Sequence, residues 1–169
     1  MVKNEKITIV NKKGEILGYK NTNDFNYAKD FHKVCLIIPK AAKNKIILSK
    51  RAKNKQPWSD TWVCAIGGKV NEGENQKEAA LREMKEESNF SSELLEKGSF
   101  IYDKDNYKAI FYIFTTKDEI SIRDLKPDKK ETQYFKEFSI GEIKEKINKN
   151  QNKFAETFIQ AFNLLIKNK

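Results

Sequence analysis

Three glutamates and an arginine are crowded into a short stretch that follows the only adjacent glycine pair in the chain. On a helix, Glu83, Glu86 and Glu87 would fall within an arc of roughly 100°. Three such carboxylates repel one another unless cations neutralise them, and hard oxygen donors of this kind favour Mg²⁺ or Mn²⁺. Arg82 lies one turn before Glu86 and can pair with its carboxylate. Similar clusters also occur on solvated helices, so the helix alone leaves a metal site and a charged surface open.

The glycine pair narrows these alternatives. Gly67 and Gly68 end a strand-like run, where a glycine lets the backbone approach a ligand or offer a carbonyl to a metal. From Gly68 the chain continues with five residues, Glu74, seven residues and then "REMKEESNF", which ends at Phe90. This spacing resembles the Nudix box in every fixed position except the last glycine, where Asn89 stands. Asparagine is the next-best residue for the left-handed end of a helix, so we interpret Asn89 as a helix end.

The Nudix resemblance implies an α/β/α sandwich with a mixed β-sheet. It also implies divalent-metal-dependent hydrolysis of a diphosphate linkage in a nucleoside diphosphate derivative, by attack of water on phosphorus. The implied metal is Mg²⁺ or Mn²⁺, and Glu74 would support the site, in part through water. The implied metal ligands are Gly67, through its carbonyl, Glu83, Glu86 and Glu87.

The resemblance leaves the general base open, because family members place it either on this helix or on a later loop. Glu83 is the candidate on the helix, and Glu86 is kept with it among the catalytic candidates. Glu131, just before the run "QYF", is the candidate on the loop. Its neighbours Asp128, Lys129 and Lys130 are equally typical of a solvated loop.

A narrower similarity precedes the box. The hairpin-like N-terminus, His32 and the stretch "LSKRAKNKQPWSDTW" resemble the branch of the superfamily that contains type I isopentenyl-diphosphate isomerase. By that resemblance Arg51 and Lys55 would bind a diphosphate, and Lys69, directly after the glycines, is a third candidate for substrate binding. Positive charge suits a diphosphate, although a lysine-rich surface is an equally good interpretation of the same residues.

The isomerase reaction does not carry over to this sequence. That enzyme needs a cysteine a few residues after the tryptophan and several histidine metal ligands. Here Cys64 follows Trp62 too closely, Gly67 stands near the cysteine's place, and His32 is the only histidine. Hydrolysis is therefore the favoured function. A prenyl-diphosphate enzyme is the first alternative, and a non-catalytic nucleotide- or RNA-binding module is the second.

The elements around the box are predicted from hydrophobic periodicity and turn residues. Two short apolar runs around Asn11–Gly14 predict an N-terminal β-hairpin. Strand-like runs then appear both before and after the box, and they predict the strands of the sheet. The runs are "HKVCLIIPK", "KIILSKR", "TWVCAI", "SFIYD", "YKAIFYIFTT" and "QYFKEFS".

Three helices are predicted between and after these strands. Asn75 and Glu78 form a capping box, which predicts a helix over about 76–88. Ala80, Leu81 and Met84 would bury its other face. The same capping pattern at Ser139–Glu142 opens a second helix. Four apolar residues give a closing helix its buried stripe: Phe154, Phe158, Phe162 and Leu165.

Composition limits the remaining questions. The 169 residues suit one domain over 1–169, and the net charge of +9 suits phosphate-bearing partners. The lysines are spread along the chain, so the sequence locates no nucleic-acid surface and leaves that partner unsupported, with a nucleotide-type small molecule as the expected substrate.

Cys35 and Cys64 sit in apolar runs and are expected to be buried thiols. No apolar run is long enough for a membrane span or resembles a signal peptide, so a cytoplasmic protein is expected. The oligomeric state, a homodimer included, stays open.

Overall fold

The computed structural model describes residues 5–167. Seven strands precede the first of three α-helices, three more strands follow it, and the other two helices close the described chain, with short 3-10 turns between some elements. The strands are β1 (Lys6–Val10), β2 (Ile16–Asn21), β3 (His32–Ile37), β4 (Lys40–Ala41), β5 (Lys45–Arg51), β6 (Trp62–Cys64), β7 (Ile66–Lys69), β8 (Leu94–Lys104), β9 (Tyr107–Thr116) and β10 (Thr132–Ser139). The helices are α1 (Gln76–Ser88), α2 (Ile140–Lys149) and α3 (Glu156–Lys167).

The larger sheet is mixed, as expected from the sequence. Its strands follow the order β2-β1-β3-β9-β8, and β7 pairs with β3. β3 and β9 run parallel, whereas the other pairs are antiparallel. The predicted hairpin is present as β1 and β2, and its turn closes with a hydrogen bond from the Gly14 amide to the Asn11 carbonyl at 2.9 Å. Gly14 has φ of 83°, which favours glycine.

A second, smaller sheet is entirely antiparallel. β5 is its central strand and pairs with β10, β4 and β6. β6 and β7 are separated by a single residue and belong to different sheets. The chain therefore crosses from one sheet to the other immediately before Gly67, which lies in β7.

Helices pack against the sheets on both sides, so the predicted α/β/α arrangement is confirmed. Ala79, Ala80 and Met84 of α1 are fully buried in one core with residues of β3, β5 and β9. A second core joins α3 to other residues of the two sheets, with Phe158 and Phe162 at its centre. No helix within residues 5–167 is long and apolar enough to cross a membrane.

The ends of α1 follow from its sequence. The Asn75 side chain accepts hydrogen bonds from the Lys77 and Glu78 amides, and the Glu78 carboxylate accepts one from the Asn75 amide. Asn89 adopts the left-handed conformation with φ of 52° and ψ of 26°, and its amide donates to the Lys85 carbonyl at 3.0 Å. Asn89 thus ends the helix as predicted.

Two details of the predicted helix faces are wrong. Leu81 is 38% exposed, because it lies just outside the arc that Ala80 and Met84 present to the sheet. Phe154 lies before α3, in extended backbone held by a hydrogen bond from the Ala155 amide to the Trp62 carbonyl at 2.9 Å. Its ring is buried and stacks on Phe158 at 5.7 Å, which continues the apolar stripe without helical backbone.

Candidate active site

A cavity of about 330 Å³ lies beside α1 and is lined by residues of both sheets. One wall consists of β7 and the carboxylates of α1, and the opposite wall comes from β5 and from the loop after it. Most of the residues predicted from the sequence to form a site line this cavity. They are Arg51, Lys55, Gly67, Lys69, Glu83, Glu87 and Glu131.

Glu83 reaches the cavity over the backbone of Gly68. A Cβ atom at position 68 would overlap the Glu83 carboxyl group, so a glycine is required for the helix and strand to approach this closely. The Arg82 guanidinium donates to Glu83 Oε1 at 2.7 Å. Burial nevertheless raises the pKa of Glu83 to about 7, because desolvation of the charged form outweighs the attraction of Arg82.

Glu87 lies one turn further along the same face of α1. Its Oε2 accepts a hydrogen bond from the Gly67 amide at 3.1 Å. Burial raises the pKa of Glu87 well above its usual range, and the neighbouring Glu83 carboxylate raises it further. Two buried carboxylates on one wall therefore lack sufficient positive charge, which is the electrostatic condition that a bound cation would relieve.

Arg82 contacts more groups of the acidic wall than the single partner, Glu86, that its sequence position suggested. Besides Glu83, it contacts Glu86 at 3.2 Å and the Lys69 carbonyl at 3.0 Å. Its strongest partner is Glu74, which accepts from Nη2 at 2.7 Å and from Nε at 3.1 Å. Glu74 also accepts from the Asn71 amide at 2.8 Å, so this pair fixes the loop between β7 and α1.

Glu86 stands apart from the other two glutamates. Its side chain is 44% exposed, it pairs with Arg82, and it is not part of the cavity lining. Within residues 5–167 there is no group of three His, Cys, Asp or Glu side chains already arranged around a common metal position. The structure brings Glu83 and Glu87 together in the cavity lining and leaves Glu86 outside it.

The opposite wall carries the predicted cations. Lys55 forms an ion pair with Glu131, so the candidate diphosphate ligand and the candidate base contact each other. Arg51 is oriented by the Pro57 carbonyl, which accepts from its Nε at 2.8 Å. Arg51 also acts electrostatically on Glu87 across the cavity. Cations on one wall and carboxylates on the other can hold a phosphate group between them.

The far end of the cavity is aromatic. Tyr27 and Tyr107 stack at 4.9 Å, and Trp58 contacts Tyr107 at 5.4 Å. Lys69 Nζ lies 5.1 Å from the centre of the Tyr27 ring. Sequence reasoning did not single out Trp58, which the loop after β5 brings into the cavity.

The lone histidine is not available as a metal ligand in this cavity. His32 is fully buried beside Phe25, Tyr27 and Tyr107, and burial lowers its pKa to about 4. Its Nδ1 lies 3.2 Å from the Asp30 carbonyl, while Nε2 has no hydrogen-bond partner. His32 therefore supports the aromatic end as a neutral ring.

Cys35 and Cys64 are both buried free thiols, as predicted. Cys64 borders the cavity, but burial holds its pKa well above the usual range of a thiol. A thiol in this state is a poor nucleophile and a poor acid at neutral pH.

Comparison with known proteins decides the family. A family model described as NUDIX domain matches residues 30–158. The chain belongs to the NUDIX family. The match includes β3 through the start of α3, and therefore both walls of the cavity. NUDIX hydrolases generally use divalent metal ions.

Individual NUDIX relatives agree with this assignment. An uncharacterised Nudix hydrolase of Listeria innocua is 34% identical over 86 residues, which make up 49% of this chain and 48% of the relative. The match thus spans about half the length of that protein.

Solved structures share the NUDIX fold at low sequence identity. DR0079 of Deinococcus radiodurans has a TM-score of 0.78 at 14% identity, covering 95% of this chain and 99% of that one. A MutT protein of Methanosarcina mazei has a TM-score of 0.66 at 20% identity, covering 82% and 96% respectively.

Proposed function

We propose that this NUDIX protein is a divalent-metal-dependent pyrophosphohydrolase that cleaves a diphosphate linkage in a nucleoside diphosphate derivative. The observation that carries the proposal is the pair of buried, undercompensated carboxylates, Glu83 and Glu87, facing Arg51 and Lys55 across one cavity. Family membership supports the reaction class.

The residues present fit a hard divalent cation such as Mg²⁺ or Mn²⁺. Glu83 and Glu87 supply carboxylate oxygens, and the Gly67 carbonyl and Glu86 are the further donors that we propose. Glu86 is close enough in sequence to join them by exchanging its Arg82 contact for the cation. A bound cation would supply an activated water and neutralise charge on the phosphate oxygens.

The chain's own residues account for the rest of the reaction. Arg51 and Lys55 bind and orient the diphosphate, and Lys69 lies where it can contact the same group. Arg82 holds the acidic wall in place through Glu74. The proton of the attacking water passes to a carboxylate oxygen of Glu83 or of Glu131, which are the two candidate bases on opposite walls.

Glu131 becomes available as a base when the substrate diphosphate takes over its ion pair with Lys55. Burial raises the pKa of Glu83 to about 7, so near pH 7 this carboxyl group is ionised in part and can then accept the proton. The Glu131→Gln variant distinguishes the two candidates. If Glu131 is the base, this variant should lose the pH dependence of kcat that comes from the base. If Glu83 is the base, that pH dependence should remain.

The aromatic end supports a nucleotide-type substrate. Tyr27 and Trp58 present ring surfaces next to the phosphate-binding wall, at a position where a planar base can stack, and the buried Tyr107 packs behind them. The alternative prenyl-diphosphate reaction receives no support from the buried thiol of Cys64 or from the neutral, buried His32.

A substrate panel tests the proposal. Purified protein is assayed with Mg²⁺ or Mn²⁺ against nucleoside triphosphates, dinucleoside polyphosphates, nucleotide sugars, capped RNA and isopentenyl diphosphate. We expect metal-dependent release of phosphate or nucleotide from at least one nucleotide, with Glu87→Gln at least about a hundredfold slower. The matched control is Glu119→Gln, at an exposed glutamate outside the cavity lining, and it should retain full activity.

Two results would contradict the proposal. Hydrolysis that survives Glu83→Gln and Glu87→Gln would place the reaction elsewhere. Isomerisation of isopentenyl diphosphate without hydrolysis of any nucleotide would favour the alternative enzyme.

A further inference from the structure

A second groove lies away from the active-site cavity and is lined by lysines and aromatic rings. It has a volume of about 240 Å³ and includes Trp62, Phe138 and Phe154. Its charged lining consists of Lys136, Lys146, Lys149 and Lys153. Four of the lysines that are spread along the sequence therefore lie around one groove, which the sequence alone did not locate.

The register of the smaller sheet explains how the aromatic part forms. Lys50 of β5 pairs with Trp62 on one side and with Tyr134 on the other. Alternate residues of a strand share a face, so Lys136 and Phe138 continue the row that Tyr134 begins. The Trp62 ring contacts Tyr134 at 5.7 Å and Phe138 at 4.9 Å, both edge-on.

Two aromatic rings reach solvent at this place. Tyr134, beside the groove, is 47% exposed and Trp62 is half-buried in the groove lining, whereas the rings of Phe138 and Phe154 are buried and form its floor. Lys50 Nζ lies 5.7 Å from the Trp62 ring centre, and Lys136 Nζ lies 5.2 Å from that of Phe138. Lysine ammonium groups and aromatic rings thus lie next to one another across β5, β6 and β10.

The helical side of the groove adds charge. Lys146 and Lys149 are three residues apart on α2 and lie on the same face. Lys153 follows in the turn that leads to Phe154. All four groove lysines are exposed.

Carboxylates neutralise this charge only in part. Lys149 pairs with Glu145 at 2.7 Å, and Lys146 acts at longer range on Glu142 and Glu145. In the described part of the chain no ion pair within 4.0 Å joins Lys136, Lys146 or Lys153 to a carboxylate. The groove therefore presents a net positive surface, and its complement is a polyanion.

We propose that this groove binds single-stranded nucleic acid. Repeated phosphates match a row of lysines, and unpaired bases can stack on aromatic rings whatever their sequence. A duplex hides its base faces and would leave Trp62 and Tyr134 without partners. The chain net charge of +9 favours the same encounter through long-range attraction.

Fluorescence anisotropy with a 3′-labelled oligouridine of about 12 nucleotides tests the proposal. Measurements in EDTA between about 50 and 200 mM KCl separate binding from any hydrolysis, so the result is independent of the proposed enzyme function. The test variant combines Lys136→Gln, Lys146→Gln and Lys153→Gln. The matched control combines Lys13→Gln, Lys29→Gln and Lys43→Gln, which are equally exposed and lower the net charge by the same three units.

We expect the groove variant to bind at least about tenfold more weakly at low salt than the native chain. The slope of log affinity against log salt should fall by about 2, since each phosphate contact on a single strand contributes about 0.7. The control variant should keep most of the native affinity and most of the native salt slope. Equal losses in the two variants would overturn the proposal, because binding would then follow overall charge alone.

Tryptophan fluorescence locates the bound strand. Trp58 lies in the active-site cavity and Trp62 lies in the groove, and these are the only two tryptophans. Oligouridine should quench the tryptophan fluorescence of the Trp58→Phe variant, which retains Trp62. It should leave the fluorescence of the Trp62→Phe variant, which retains Trp58, unchanged. The reverse pattern would place the strand in the active-site cavity and contradict the proposal.

Two competitors test the chemistry of the ligand. An abasic oligomer of equal length should compete more weakly, because it offers phosphates without bases. Vesicles containing phosphatidylserine should compete poorly. Equal competition by the abasic oligomer, or strong competition by vesicles that depends on the three groove lysines, would overturn the assignment in favour of a general polyanion or an anionic membrane surface.

Discussion

The active-site cavity and the lysine groove use charge in opposite ways. In the cavity, Glu83 and Glu87 are buried at the cost of their solvation. Arg82 and the close Gly68 backbone hold Glu83 in a fixed position, and the Gly67 amide holds Glu87. In the groove, Lys136 and Lys153 stay exposed and no short ion pair to a described carboxylate constrains them. Buried, constrained charge suits chemistry at one atom, whereas exposed, mobile charge suits a long polyanion.

Gly68→Ala should produce the largest effect, and only in the cavity. The added Cβ overlaps the Glu83 carboxyl group and must displace it. Misplacement of a catalytic group by about 1 Å costs about a hundredfold in kcat/KM, equivalent to about 2.7 kcal/mol. Steady-state hydrolysis and oligouridine binding are measured on the same sample. An equal loss of both activities would show a folding defect and would break the distinction between the two regions.

Lowering the pH should reduce the free energy of unfolding through His32, which packs behind the cavity, whereas the groove lysines stay charged. The folded pKa of His32 is about 4 and the unfolded value is 6.5, so the unfolded chain binds more protons between them. Stability from this group is complete above pH 6.5 and is lost as the pH falls towards 4. Between pH 6.5 and 5 the loss is about 2 kcal/mol.

The measurement compares urea unfolding of the native chain with that of His32→Phe. Glu83 and Glu87 act in the opposite direction, because their raised pKa values let the folded chain hold protons more tightly. The difference between the two proteins isolates the histidine. Identical pH slopes in both would mean that His32 is not buried as a neutral ring.

Arg51→Lys should have a smaller effect that is confined to substrate binding. Lysine keeps the charge but loses the planar pair of donors and the hydrogen bond to the Pro57 carbonyl. KM should rise about tenfold, or about 1.4 kcal/mol, while kcat changes by less than about twofold. Arg123→Lys, an exposed site with the same chemical change, should alter neither. A fall in kcat at constant KM would instead show that Arg51 stabilises the transition state rather than the bound substrate.

The smallest effect is expected for a single groove lysine. Lys136→Gln should lower the salt slope of oligouridine binding by about 0.7, which corresponds to one phosphate contact. Anisotropy titrations over the same salt range measure it. An unchanged slope would show that this lysine lies outside the path of the strand.

Sequence reasoning located the cavity better than the groove, and the reason is physical. The box residues lie within one glycine-to-helix segment, so Gly68 and Glu83 are brought together by local geometry. The capping residues Asn75 and Asn89 likewise fixed both ends of α1. Such signals act over a few residues and can be recognised in the sequence.

The groove depends on long-range contacts. Lys50, Trp62 and Tyr134 become neighbours only through the register of β5 with β6 and β10. Trp58 reaches the cavity only through the course of its loop, and Glu86 lies outside the cavity lining, where it pairs with Arg82. None of these arrangements leaves a periodic pattern in the sequence.

Calorimetric titration with Mn²⁺ tests the central claim most directly, since it asks whether the buried carboxylates hold the cation. We predict binding by the native chain and by Glu119→Gln, and binding at least about tenfold weaker in Glu87→Gln, with loss of hydrolysis in the same sample. Equal Mn²⁺ affinity in all three proteins would contradict the account.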